Sequence, residues 1–423
     1  MSQSRKYQSF DFYRNVLKNA KYILAPMVDQ SEYAWRVLSR RYGAQVCYTP
    51  MIHAKMFCDE NHKQYQKEVW STDSDDRPLI VQFCANDPEI LLKAALKVQD
   101  HCDAVDLNLG CPQHIARRGH YGAFLQDDWD LIYKLINTLH ENLDIPVTAK
   151  IRIFPEVEKT IKYAKMIENA GAQLLTVHGR VRDQKGHKTE LADWEQIRRV
   201  KEELKIPVIA NGNILYFEDI RRCIEVTGVD GVMSAEGNLY NPAIFAGVNL
   251  PVWQLANEYL EICKMIPTKI ACIRAHLFKI YRPALPYHVD LREQFSQANT
   301  FEELCKISEE LKGQYPENTV IQKDETGYKI FPYWICQPNI RLTENAKKNQ
   351  EELMRKEKLS DENNKSTNDE PQVGVSSKSS LKIEELEKET ESHNETNQTP
   401  IDINFGIDLM FEYNLERSNN KDS

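Results

Sequence analysis

The chain has 423 residues, ten scattered cysteines and a formal net charge of −9, enough length for a sizeable buried core but an overall charge that disfavours nucleic acid. That charge is unevenly spread: from Thr343 onward 11 Lys or Arg face 19 Asp or Glu, a net −8, which leaves −1 for the 342 residues before it. The body can therefore carry local basic patches.

The polar start, MSQSRKYQSFDFYRN, has no signal-peptide pattern. No apolar run is long enough for a membrane-spanning helix. No CxxC pair or His/Cys spacing suggests a metal, so none is expected, and the thiols are expected reduced in a cytoplasmic or nuclear protein.

From residue 20 onward eight short β-rich runs follow one another. They are YILAPMV (22–28), VCYTPM (46–51), LIVQFC (79–84), AVDLNLG (104–110), PVTAKIRI (146–153), LLTVHGR (174–180), PVIANGN (207–213) and GVMSAEG (231–237). Several are continuously apolar, as strands covered on both faces must be. Amphipathic stretches such as PEILLKAALKVQDH (88–101) and VEKTIKYAKMIENAGA (157–172) lie between them. Eight such alternations predict a closed (β/α)₈ TIM barrel over 20–248 rather than an open doubly wound sheet.

After Asn241-Pro242, taken as an N-cap and first turn, residues 253–312 hold helical patterns only, which predicts a small helical domain. With the aromatic segment YKIFPYWICQPNIR (328–341) it is assigned 249–341. The Asn, Ser, Glu and Lys-rich remainder, 342–423, predicts a disordered acidic tail, with one apolar island at 401–415.

In a barrel of this kind the chemistry sits at the C-terminal ends of the strands. Here almost every run ends in polar or special residues: Pro26 and Met27, Gln82, Asn108 with Cys111, Lys150 with Arg152, His178 with Arg180, Asn211-Gly212-Asn213, and Gly231 to Gly237. The turns ANGNI and SAEGN, leading into helices, suit a phosphate. Lys150 would favour an anion near the centre, and Gln82 offers an amide to a heterocycle. FMN fits this set, as do other phosphorylated ligands.

The set LAPMV (24–28), VQF (81–83), DLNLGCP (106–112), AKIR (149–152), VHGR (177–180) and ANGNI (210–214) resembles the tRNA dihydrouridine synthases. NLGCPQHIARRGHYGAFLQ, GVMSAEGNLYNPAIF and PYWICQPNIR are similar to the eukaryotic subgroup that modifies D-loop uridines 16 and 17. The resemblance implies an FMN barrel with a helical tRNA-binding domain, reducing the uracil C5–C6 bond at the expense of NADPH or NADH. It places Pro26, Met27 and Val28 by the flavin, Gln82, Lys150 and His178 at its ring, and Asn211, Gly212 and Asn213 toward the ribityl-phosphate. Ala235 and Glu236 fall at the phosphate end, where many relatives have Gly-Arg, so the Glu236 carboxylate is expected to face away. Cys111 becomes the proton donor. Asn108 is expected to hold the uracil edge, with Arg152 and Arg180 as further substrate contacts.

Arg117, Arg118 and His120 in the cysteine loop are candidates for tRNA phosphates, as are Lys264, Lys269, Arg274, Lys279 and Arg282 in a stretch without acidic residues. A monomer is expected. Two rival readings share the barrel: an FMN oxidoreductase acting on a small pyrimidine or enone, and a non-catalytic flavin barrel kept as an RNA-binding factor.

Overall fold

A computed structural model describes residues 6–314, 322–323 and 329–339; the expected tail and its apolar island lie outside them. The eight runs form β1 (Tyr22–Leu24), β2 (Val46–Tyr48), β4 (Leu79–Cys84), β5 (Ala104–Leu109), β6 (Val147–Arg152), β7 (Leu174–His178), β8 (Val208–Asn211) and β9 (Gly231–Ser234), with β3 (Ile52–His53) a short extension beyond β2. Every pairing among them is parallel. β1 pairs with both β9 and β2, and β2 with β4, so the sheet closes on itself as a TIM barrel.

The register shows how the barrel is filled. Side chains alternate along a strand, and Val105, Leu107 and Leu109 of β5, like Val147, Ala149 and Ile151 of β6, join the main apolar core with the helices. The other set points into the barrel. Its lower residues, Ile80, Ala104, Leu174 and Ile209, cluster with Ile23, Val46 and Tyr48. Its upper residues are polar, in pairs set by register: Gln82 beside Asp106, Asp106 beside Thr148, Asn108 beside Lys150, Arg152 beside His178, His178 beside Asn211. The interior therefore turns from apolar to polar toward the C-terminal rim.

An element outside the predicted barrel closes its other end. The helix Ser9–Asn15 packs Phe12 and Tyr13 against the lower layer, and the Tyr13 hydroxyl donates to the carbonyls of Ala20 and Asp230. The outer helices start where the sequence suggests. Asp87 caps Pro88–Leu96, accepting from the N–H groups of Glu89 and Ile90. Gly171, at φ +109°, lies two residues beyond Val157–Asn169.

Beyond the barrel come the helices Val252–Met265, Ile270–Ile280, Val289–Gln297 and Phe301–Lys312, within the same compact unit. Asn241-Pro242 opens a short 3₁₀ turn, Ile244–Ala246, rather than a long helix. Asn241 follows the short helix Glu236–Tyr240, and its Oδ1 accepts from the Ala243 N–H. The long helix starts only after Pro251. The closing aromatic segment ties back to it: Val252 N–H donates to the Trp334 carbonyl and Cys336 N–H to that of Leu250.

The helical region is joined to the barrel through Glu32, which caps the helix Tyr33–Arg41 by accepting from Trp35 N–H. The same carboxylate accepts from Tyr259 Oη at 2.7 Å and meets His276 Nε2 at 2.9 Å. The His276 ring stacks on Trp35, centroids 3.8 Å apart. Glu32, Cys272 and His276 bring their donor atoms within 4.8 Å of one another, a grouping that no spacing in the sequence discloses. Each is engaged inside the protein, Cys272 with the Asp29 carbonyl.

Candidate active site

The rim of β7, β8 and β9 encloses a cavity of about 470 Å³. Seven of the predicted residues line it: His178, Arg180, Asn211, Gly212, Asn213, Ala235 and Glu236. Asn339, from the closing segment, joins them; nothing in its sequence context singled it out. The turn after β8 is held in a left-handed conformation, with φ +111° at Gly212 and +59° at Asn213. The Asn213 carboxamide oxygen accepts from Ala192 N–H and from the Arg180 guanidinium at 2.6 Å. At Gly237 a Cβ would stand 2.2 Å from the Ile214 carbonyl oxygen, so only glycine lets the two turns meet so closely. Met27 and Ala235 each pack against the apolar cluster inside the barrel, while Pro26 and Val28 follow β1, partly exposed.

Lys150 does not line this cavity but touches its wall, its Nζ donating to Asn211 Oδ1 at 2.9 Å. Burial, and then the charge of Arg152, push its ammonium down to about 7, against the pull of Asp106 and Cys111. Burial, and then Lys150, Arg152 and Arg180, hold His178 well below its ordinary value, so its imidazole is neutral at physiological pH.

Cys111, Asn108 and Gln82 form a second group, on β4, β5 and the loop beyond. Gln82 is fully buried. Its Nε2 donates to Asp106 Oδ2 and its Oε1 accepts from Asn108 Nδ2, both at 2.8 Å. Asn108 Oδ1 in turn accepts from the N–H groups of Gly110 and Cys111. The amides expected to meet a flavin ring and a uracil edge also hold the cysteine loop. Asp106 was missed in the sequence, although an acid alternating with Asn108 inside an apolar strand is an unusual inward charge. Burial pushes its carboxyl up to about 6, against the hydrogen bonds from Thr148 and Gln82. Burial also raises the Cys111 thiol, against a backbone N–H at Gln113 and the charges of Arg152, Lys185 and Lys150. The thiol is thus protonated at neutral pH.

Arg152, also expected to meet substrate, braces the loops. Its guanidinium donates to the carbonyls of Gly110, Val181 and Gln184. Burial and then Arg180 lower it only to about 10, so it remains a cation. Arg117 and Arg118 are exposed on the short helix His114–Arg118 just past the thiol, with His120 beside it at φ +50°. The basic stretch 264–282 is less open than its composition suggests: Lys264 pairs with Glu261, Lys269 with Glu68, and Arg274 donates to the Ala298 carbonyl.

A polar, cation-bearing rim on a (β/α)₈ barrel, with a cavity at the ends of β7 to β9 and the Cys111 thiol just beyond β5, defines an enzyme of the barrel class whose chemistry lies at the strands' C-terminal ends. Residues 23–325 match the family model described as dihydrouridine synthase (Dus), and the chain belongs to that family. It is accordingly an oxidoreductase. It is 53% identical over 342 residues, 79% of this chain and 71% of the relative, to the mouse protein named tRNA-dihydrouridine(16/17) synthase (NAD(P)(+))-like. With tRNA-dihydrouridine(16/17) synthase (NAD(P)(+)) of Saccharomyces cerevisiae it shares 52% identity over 353 residues, 75% of this chain and 83% of that one. A mouse tRNA-dihydrouridine(20a/20b) synthase-like protein is 36% identical over 258 residues, 60% of this chain and 78% of the relative. Among the described residues no helix is long and apolar enough to cross a membrane.

Proposed function

We propose that this protein reduces the C5–C6 double bond of uridines 16 and 17 in the tRNA D-loop, with FMN as resident cofactor and NADPH or NADH as reductant. The observation that carries the reading is the pairing of a rim cavity with a protonated thiol across one barrel mouth. Substrate and positions rest on the 52–53% identity to relatives named for them.

The residues present fit a flavin mononucleotide. A cavity of about 470 Å³ lies in the usual range for cofactor sites. Two turns with close-packed glycines, at Gly212 and Gly237, bring backbone N–H groups toward a phosphate. Asn211, Gly212 and Asn213 would hold the ribityl-phosphate, with the backbone of Ala235 and Glu236 at the phosphate end. Lys150 and His178 would face the ring, Met27 with Pro26 and Val28 would cover one side of it, and Gln82 supports the site from beneath. When bound, FMN supplies the hydride that adds to uracil C6, having taken it from the nicotinamide.

The protein's own part is the second half of the reduction. Hydride at C6 leaves enolate character at C5, which a neighbouring acid must protonate. Cys111, kept protonated by burial, gives its thiol proton to C5 and is reprotonated from solvent. The charge on Lys150 stabilises the anionic character that develops nearby. Arg180 contacts the substrate from the cavity wall, and Asn108 and Arg152 act on it through the loops they brace. The uridine must leave its stack to reach the mouth. Arg117 and Arg118 meet tRNA phosphates there, and the helical region 249–341 meets the rest of the tRNA.

The test is direct. Purified protein should show flavin absorbance and oxidise NADPH much faster with unmodified tRNA than with free uridine. The tRNA from cells lacking the protein should have lost dihydrouridine at 16 and 17. Equal turnover of tRNA and free uridine would refute the substrate; a colourless protein would refute the cofactor.

A further inference from the structure

The hydrogen bonds beneath Cys111 form a chain with a direction, and Asp106 sets it. An ionised carboxylate can only accept. Asp106 Oδ1 takes the Thr148 hydroxyl proton at 2.6 Å and Oδ2 takes the Gln82 Nε2–H at 2.8 Å. With its nitrogen committed, Gln82 can offer Asn108 only its oxygen, and it accepts from Asn108 Nδ2 at 2.8 Å. Asn108 is thereby left with its oxygen toward the loop, where it accepts from Gly110 N–H at 3.1 Å and from Cys111 N–H at 2.9 Å. Gln82, Asp106 and Thr148 have no solvent exposure and Asn108 almost none, so water cannot repair a reversed link.

We propose that Asp106 is a positioning residue: acting through Gln82 and Asn108, it fixes the orientation of two amides so that the backbone of Cys111 is held, and the thiol stands where the reaction needs it. The inference rests on the proton-donor reading for its catalytic consequence, but the chain itself can be tested separately.

The D106N variant keeps the shape and reverses the logic. Keeping the 2.6 Å bond that the Thr148 hydroxyl donates to position 106 turns the new amide's oxygen to Thr148 and its nitrogen to Gln82. Gln82 must then flip, Asn108 flips after it, and an NH₂ faces the two loop N–H groups. The double variant D106N/N108D restores the fit. A carboxylate at 108 accepts from both loop N–H groups and from the flipped Gln82, whose oxygen accepts from the new amide at 106. It also returns one negative charge to the site, which limits the effect on Lys150.

The readout is amide hydrogen exchange of the peptide carrying Gly110 and Cys111, measured by mass spectrometry on the flavin-containing protein. D106N should lower protection there about tenfold, the equivalent of roughly one to two hydrogen bonds, while protection in the outer helices stays as in the wild type. Its kcat should fall at least about tenfold, with KM for tRNA within about twofold, since the loss is of position rather than of binding. D106N/N108D should recover the protection. Wild-type protection in D106N overturns the proposal, and so does loss of protection that the double variant fails to recover. Should the exchange behave as expected while Cys111→Ala retains full dihydrouridine formation, the proton-donor reading fails and the positioning chain stands.

Discussion

At Cys111 the useful property is a high pKa. A reactive nucleophilic cysteine needs a thiolate, favoured by nearby cations or a helix N-terminus. Here burial outweighs the charges of Arg152, Lys185 and Lys150 and keeps the proton on sulfur, which suits an acid. Cys111→Ala should therefore leave flavin binding and its reduction by NADPH intact. Dihydrouridine formation should fall about 10²–10⁴-fold, the usual worth of a positioned acid, measured by nucleoside mass spectrometry of the tRNA product. Lys150 makes the opposite case. Its ammonium, pushed down to about 7, is charged below that pH and increasingly neutral above it. Affinity of the flavin-free protein for FMN should thus weaken from pH 7 to 9, by at most about tenfold per pH unit. Lys150→Met should bind more weakly and lose that slope in a fluorescence titration; an unchanged slope would assign it to another group.

The element that decides the thiol's position is the loop between β5 and the helix Trp129–Asn142. Gly122 sits in it at φ +63°, and a Cβ there would lie 2.8 Å from the Cys111 carbonyl oxygen, which itself accepts from Ala123 N–H at 3.0 Å. Gly122→Ala should lose about 1–2 kcal/mol from the left-handed backbone alone, and the contact should displace the cysteine. A misplacement of about 1 Å costs about a hundredfold in rate, which sets the upper end of the expected loss. Gly228 provides the control: it has a similar φ, +67°, with nothing within 4 Å of an added Cβ. Gly228→Ala should lower the melting temperature comparably and leave turnover near wild type. If both variants lose activity alike, backbone strain rather than the thiol's position is responsible.

On the scale of the whole molecule, the barrel and the helical region share one apolar core, and Glu32 adds a polar tie between them. Burial alone would raise its carboxyl, but His276, with hydrogen bonds from His276 and Tyr259, holds it below the usual 4.5. A carboxylate with a depressed pKa contributes stability that is present above its unfolded value and is lost as pH falls through the folded one. Glu32→Gln keeps acceptors for Trp35 and Tyr259 and loses the carboxylate oxygen that meets His276 Nε2. It should destabilise the protein by about 2 kcal/mol at pH 7. The gap to wild type should narrow below about pH 4.5, as followed by thermal unfolding across pH; a constant gap would mean that packing, not charge, is lost.

What the sequence determined by itself is periodic and local. Continuous apolar runs such as LIVQFC and AVDLNLG, each followed by an amphipathic stretch, are enough to specify parallel strands and a closed barrel, because burial on both faces leaves a mark at every position. The same pattern placed Lys150, His178 and Asn211 at the rim, since strand ends are fixed by where the apolar run stops. Tertiary structure decided what those side chains touch. Gln82 and Asn108 are amides whose direction depends on Asp106, on the strand beside Gln82 and two residues before Asn108, so their turn toward Asp106 and the Cys111 loop could not be seen along the chain. Arg152 meets three carbonyls from distant loops. The Glu32–His276 contact joins residues 244 positions apart, and the plug at Ser9–Asn15 closes a barrel end that exists only once the sheet has closed. Burial and hydrophobic period are properties of a segment and can be found there; hydrogen-bond direction and charge environment are properties of a meeting, and only the fold arranges it.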